Sequence, residues 1–355
     1  MESILHCRGM MAAGLLGVVA SLPVAKAAEP PLFLSSEPLA ITLTGSIIGL
    51  ANDDSDDPVY RDVSLQVADA SGAMRVIPVR VKPRGKSRRR ETVCQFPPLR
   101  LNLPKQGAER TAFEGQDKLK LVTHCSRLGS VGGAAVERLW LEFLLYKAFT
   151  RVSATSLRVR SLQVTYVDAD QPGRAYGHPA FVIEDIGALA SRLDARETSL
   201  ERVDRGRLAP EASAIVEVFQ YFAGNTDFSL TQGPAGESCC HNIKLLDDGS
   251  GQLVPVPYDF DATGVVNPPY ARPLRHLGIR NVRQRLYRGY CRTSEQIEAA
   301  IAVFQQQKAA IYSLFADSGL LSPDRVRSTL RYIDAFYAVV DDADQRRKRI
   351  LDRCL

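Results

Sequence analysis

Residues 225–264 decide how this chain is read. They begin with Asn225-Thr226-Asp227, pass through His241-Asn242-Ile243-Lys244-Leu245-Leu246, and close on Val256-Pro257-Tyr258-Asp259-Phe260-Asp261. Just upstream, residues 211–223 form an apolar helical segment opened by Pro210, a residue suited to the first turn because the N–H it lacks has no helical partner there. That helix delivers the chain to Gly224 and then to the carboxylate of Asp227. Residues 242–246 and 253–258 read as two strands around Asp247-Asp248-Gly249-Ser250, a good turn sequence, so a hairpin is expected. Its second strand runs out into paired aspartates.

Working outward, the chain has 355 residues, 45% apolar and 24% charged, enough for two modest domains or one two-lobed body with a real core. The net charge of +5 is mild, and basic residues are scattered among acidic ones, which argues against a nucleic-acid partner. At the start, Arg8 precedes an apolar run over residues 10–24, followed by the small residues of Ala25-Lys26-Ala27. The run is broken by Gly14, Gly17 and Pro23 and is too short to span a bilayer. Residues 1–27 therefore read as an export signal, with the mature chain expected in the periplasm and without a membrane span. Six cysteines remain after the signal: Cys94, Cys125, Cys239, Cys240, Cys291 and Cys354. An even number suits an oxidising compartment, and Cys94 is expected to pair with Cys125 because both flank strands that should lie side by side. Cys239-Cys240-His241 lacks the ligand spacing of a zinc site.

Strand-like alternation marks residues 39–43, 63–67, 74–81, 99–103, 118–123, 157–167 and 180–183, with the acidic stretch 52–57 as a solvated loop. After Pro83-Arg84-Gly85 comes Lys86-Ser87-Arg88-Arg89-Arg90, the densest basic cluster. It reads either as an exposed turn or as a phosphate-facing loop, where Gly85 lets backbone approach an anion and arginine supplies forked donors. Lys118 and Lys120 share one strand face, opposite Leu119 and Leu121. Gly132-Gly133 then leads into a helix over 134–149 that is apolar nearly all round, so it should be covered on several sides. Glu142 lies inside that run and needs a cation or donors to be buried there. Glu137 is the second choice for such a carboxylate; five residues away, it cannot share the face of Glu142. Strand character stops at Glu184-Asp185, and residues 295–315 and 323–340 carry helical periodicity.

In order, Arg84-Gly85-Lys86-Ser87, Phe96 with Leu99-Arg100-Leu101, Lys118-Leu119-Lys120-Leu121, the helical segment 142–146, Asn225-x-Asp227, His241-Asn242 and Tyr258-Asp259-Phe260-Asp261 resemble the spore coat protein H (CotH) kinase family. The same set is similar, more distantly, to HipA-type and phosphatidylinositol kinases, and the likeness covers residues 79–264. The resemblance implies an α+β, two-lobed protein-kinase-like fold. Residues 28–186 would form an N-lobe of antiparallel sheet plus one helix. Residues 187–355 would form a largely helical C-lobe with a short β-hairpin at the site. It also implies Mg2+-dependent transfer of a phosphoryl group from ATP to a hydroxyl of a protein or small molecule. Asp227 would take or orient the hydroxyl proton, while Asn242, Asp259 and Asp261 would hold the metal. Lys118 or Lys120, supported by Glu142, would contact phosphates, with Arg84 and Glu184 completing the nucleotide-binding set.

Three departures weigh against activity. Asn242 lies fifteen residues beyond Asp227, whereas protein kinases separate these residues by five. The glycine-rich loop is reduced to Gly85. An exported kinase would also need a donor outside the cytoplasm. Two other readings stand beside phosphoryl transfer: a non-catalytic binding scaffold, and a metal-dependent hydrolase using Asp227, Asp259 and Asp261.

Overall fold

Seven alternating segments become strands in the computed structural model, which describes residues 31–85, 87–130 and 132–355. The expected export signal lies outside the described residues. The strands are β1 (Leu39–Gly45), β2 (Arg61–Ala68), β3 (Met74–Pro83), β4 (Leu99–Asn102), β5 (Lys118–Val122), β6 (Val159–Asp168) and β7 (Ala175–Ile183). They close into a barrel in the order β1-β2-β3-β4-β5-β7-β6. Side chains alternate in and out along each strand, so Leu43, Leu65, Val79, Leu101, Leu121 and Val164 fill the interior together with Phe96, Phe113 and Tyr166.

The two-lobed kinase-like architecture is overturned by this arrangement. The sheet is not an open antiparallel one: β6 runs parallel to β1, from Leu39 opposite Leu162 to Gly45 opposite Asp168, and closes the ring. A closed ring of seven strands cannot alternate up and down throughout, so a parallel contact is topologically required. The helix expected beside the sheet does pack on it, but it belongs equally to the helical core. After the short α1 (Ile47–Ala51), α2 (Ala134–Val152) is buried in the same core as the later helices. Phe143 packs on Phe181 of β7, Phe149 on Phe219, and Tyr146 on Phe260. Partners on three sides explain why α2 is apolar nearly all round.

Beyond the barrel come α3 (Ile186–Arg192), β8 (Arg196–Thr198), α4 (Pro210–Ala223), β9 (Ile243–Asp247) and β10 (Leu253–Pro257). The expected hairpin is β9–β10, but β8 adds a third strand, giving the order β10-β9-β8. The chain ends in α5 (Ser294–Gln306), α6 (Lys308–Ala316), α7 (Pro323–Val340) and α8 (Ala343–Arg349). The segment of helical periodicity over 295–315 thus holds two helices that meet at Gln307.

Gly224 ends α4 in the left-handed region, at φ 68°, and Gly264 donates its N–H to the Gly224 carbonyl at 3.1 Å. A Cβ on either glycine would overlap the Tyr332 hydroxyl. This close approach clasps the two ends of residues 225–264 together. Cys94–Cys125, Cys239–Cys240 and Cys291–Cys354 are disulfides, the first as expected from strand adjacency. Among the described residues no helix is long and apolar enough to cross a membrane.

Candidate functional site

β3 hands the chain to Arg84, and the tight turn Ser87–Arg89 carries Arg88 into a buried position. There it meets Glu142 from α2 and the two aspartates that follow β10. Arg88 Nη1 lies 3.3 Å from Glu142 Oε2, Nη2 lies 3.2 Å from Asp259 Oδ1, and Nε lies 3.1 Å from Asp261 Oδ2. Only 9% of the Arg88 side chain is exposed. Tyr270 donates its hydroxyl to Asp261 Oδ2 at 2.7 Å.

Three carboxylates thus surround one guanidinium. Burial alone would lower the Arg88 pKa, but Asp261, Glu142 and Asp259 outweigh it and hold the group firmly charged. Burial pushes Glu142 and Asp261 upward, and Arg88 offsets only part of that. Arg84 adds a smaller attraction, and the two cations do not offset the cost of burial.

Asp227 stands across the same space. A cavity of ≈230 Å³ is lined by Arg84, Arg88, Asp227, Asp259, Asp261 and Tyr270, among others. Asn225 Oδ1 accepts the Asp227 N–H at 2.9 Å, closing a small turn after α4. Asn242 donates its amide to the Asp227 carbonyl at 2.7 Å, and His241 Nε2 lies 2.7 Å from Asp227 Oδ1. That hydrogen bond raises the His241 pKa above its usual value, against the opposing effect of burial. The fifteen-residue interval between Asp227 and Asn242 is a loop that returns on itself, with Ser229 N–H bonded to the His241 carbonyl at 3.0 Å. Asn242 and Asp259 both have left-handed backbones, at φ 53° and 64°. Asn and Asp tolerate this region better than most residues, and such conformations concentrate at functional sites.

The two lysines separate. The Lys120 ammonium sits over the Tyr258 ring at 4.7 Å, and burial together with Arg84 lowers its pKa to about 8. Lys118, on the same face, is near the barrel surface and pairs with Asp117 at 3.6 Å. The cation on Glu142 is Arg88 rather than a strand lysine. Glu137 turns instead to the start of α7, where it binds Ser322 and Arg325. Glu184 is held by Arg192 at 3.0 Å and accepts the Arg158 N–H, so its carboxylate braces the turn into α3 and does not line the cavity. Sequence reasoning left Arg88 unassigned within its basic cluster and gave His241 no part in the site beyond packing or hydrogen bonding, the latter of which it makes to Asp227. The signal for Arg88 was there: three carboxylates in one cleft require a buried cation, and the cluster 86–90 supplies candidates.

Magnesium, the metal implied by the kinase resemblance, would have to share its carboxylates with Arg88. Asp259 and Asp261 each have an oxygen on Arg88, and Asn242 directs its amide nitrogen at Asp227. Among the described residues no group of three or more His, Cys, Asp and Glu side chains is placed to hold a metal ion. The cavity instead offers Arg84 and Arg88, with Lys120 near both Arg84 and Asp259 but outside the lining, a set of cations suited to phosphate. No protein-family model matches the chain, and no curated protein matches it significantly.

Proposed function

We propose that the chain is an exported phosphotransferase whose cleft binds a polyphosphate, such as the tail of a nucleotide, against Arg84 and Arg88. The observation that carries this reading is the shared cavity: Arg84, Arg88, Asp227, Asp259 and Asp261 come from far-separated stretches and line one space. At ≈230 Å³ the space is smaller than the ~300–1,000 Å³ of typical ligand pockets, a size suited to phosphates rather than to a whole nucleotide. In the transfer, an acceptor hydroxyl oxygen bonds to the terminal phosphorus. The bond to the leaving phosphate breaks with its electron pair, and the hydroxyl proton passes to Asp227. His241 and Asn242 hold Asp227 in place, and the cations neutralise charge on the phosphates. Three disulfides suit work in an oxidising compartment such as the periplasm.

The test uses ATP labelled at its terminal phosphate. Label should enter the protein or an added hydroxyl-bearing acceptor, and Asp227→Asn should slow this by about 10²–10⁴-fold while keeping the ATP-induced thermal shift. A second reading, binding without transfer, is favoured by the engagement of Asp259 and Asp261 with Arg88. A thermal shift with no label in any acceptor would select it. No shift with ATP, ADP or pyrophosphate would defeat both readings.

A further inference from the structure

Arg88 occupies the place where the kinase resemblance puts a metal ion. Its position is built, not incidental: the side chain is buried, and Glu142, Asp259 and Asp261 each meet a different nitrogen of the guanidinium. A guanidinium carries five N–H donors, so three directed at carboxylates leave two free to donate elsewhere. Arg88 lines the ≈230 Å³ cavity together with Arg84, and Lys120 lies near Arg84 and Asp259 without lining it. A divalent ion seated on Asp259 and Asp261 would compete with Arg88 for both carboxylates, against a hydrogen bond to Asp259 and an ion pair to Asp261. Glu142 adds a second constraint. Its Oε1 is buried and bonds no protein group, so this carboxylate depends on Arg88 for its compensation.

We propose that Arg88 does in this cleft the work a bound metal does elsewhere. It is a built-in cation, oriented by Glu142, Asp259 and Asp261, that faces the phosphates of the ligand, and binding of a pyrophosphate group therefore needs no divalent ion. The ligand class rests on the function proposed above, but the test reads binding alone. The shared chemistry is the pyrophosphate group, free or at the tail of a nucleotide.

The experiment is calorimetric titration of the full chain with inorganic pyrophosphate and with ADP, in EDTA and in Mg2+. Either ligand should bind in EDTA within about threefold of its affinity in Mg2+, and the tighter of the two identifies the source of the group. Folded Arg88→Gln, checked by near-UV circular dichroism, should bind about a hundredfold more weakly. A loss of about tenfold or more on chelation overturns the proposal, as does a folded Arg88→Gln with unchanged affinity. If Arg88→Gln does not fold, the chelation comparison on the native chain decides alone. Metal-free binding with no phosphoryl transfer would sink the transfer reading and leave this one standing, whereas Mg2+-dependent binding would do the reverse. No binding in either buffer overturns both.

Discussion

The hydroxyl of Tyr146, midway along α2, accepts the backbone N–H of Asp259 at 3.0 Å. The contact joins residues 113 positions apart and ties a site aspartate with a left-handed backbone to a helix of the buried core. Tyr146 also packs on Phe260, so ring and hydroxyl together set the course of the chain between Asp259 and Asp261. Removing the hydroxyl in Tyr146→Phe leaves a recessed N–H without its acceptor. Urea unfolding should show a loss of about 1–3 kcal/mol, and pyrophosphate should bind more weakly because Asp259 no longer holds Arg88 in place.

Lys120 gives the cleft a pH dependence. Its folded pKa, lowered to about 8 from the usual 10.5, means that the native ammonium loses its proton while the unfolded one would keep it. Pyrophosphate affinity should therefore fall as pH rises through about 8. Lys120→Arg, whose charge persists, should keep binding to higher pH. Titrations at pH values on either side of that point check this, and an identical profile in the variant would show that Lys120 does not face the ligand.

A second titration lies inside the barrel. The rings of His124 and His178 stack at 3.7 Å between centroids, and burial plus the neighbouring His178 pushes His124 down to about 3. Both stay neutral in the native state, whereas the unfolded chain takes up protons below the usual 6.5. Stability is thus complete above pH 6.5 and is lost as pH falls from there toward about 3, by an amount reaching several kcal/mol at the acid end. Urea midpoints measured from neutral pH downward should fall steeply. His124→Phe, which preserves the stack without the titration, should flatten the curve.

At the C-terminus, Cys291–Cys354 closes an interval of 63 residues that contains α5, α6, α7 and α8. Leu355 reinforces it, donating to the Gly289 carbonyl and accepting the Cys291 N–H. The loop-entropy relation gives about 4 kcal/mol for a loop of this length. Cys291→Ala/Cys354→Ala should lose stability of that order in chemical denaturation. The cavity residues come from outside the closed loop, so the thermal shift with pyrophosphate should persist below the lowered melting point.

Much of this organisation was legible in the residues. Alternation in β1, β2, β3, β4 and β5 identifies the inward set Leu43, Leu65, Val79, Leu101 and Leu121, because side-chain direction in a strand follows from local geometry alone. The all-round apolar character of α2 announced a helix covered on several sides. Adjacency of β4 and β5 was enough to pair Cys94 with Cys125. The order Asp227, Asn242, Asp259, Asp261 named polar groups that do meet, since each sits at the end of a helix or strand whose limits are locally coded.

Tertiary structure decided what local pattern cannot carry. Closure of the barrel depends on the parallel β1–β6 contact, a choice among strand neighbours that alternation leaves open. The cation for Glu142 could have been Lys118, Lys120, Arg84 or Arg88, all within reach in a linear reading. Burial selected Arg88, because a forked guanidinium can satisfy three carboxylates at once whereas an ammonium acts as a point charge. Side-chain type and periodicity are properties of short stretches. The partner of a buried charge is settled only when distant stretches compete for the same desolvated space.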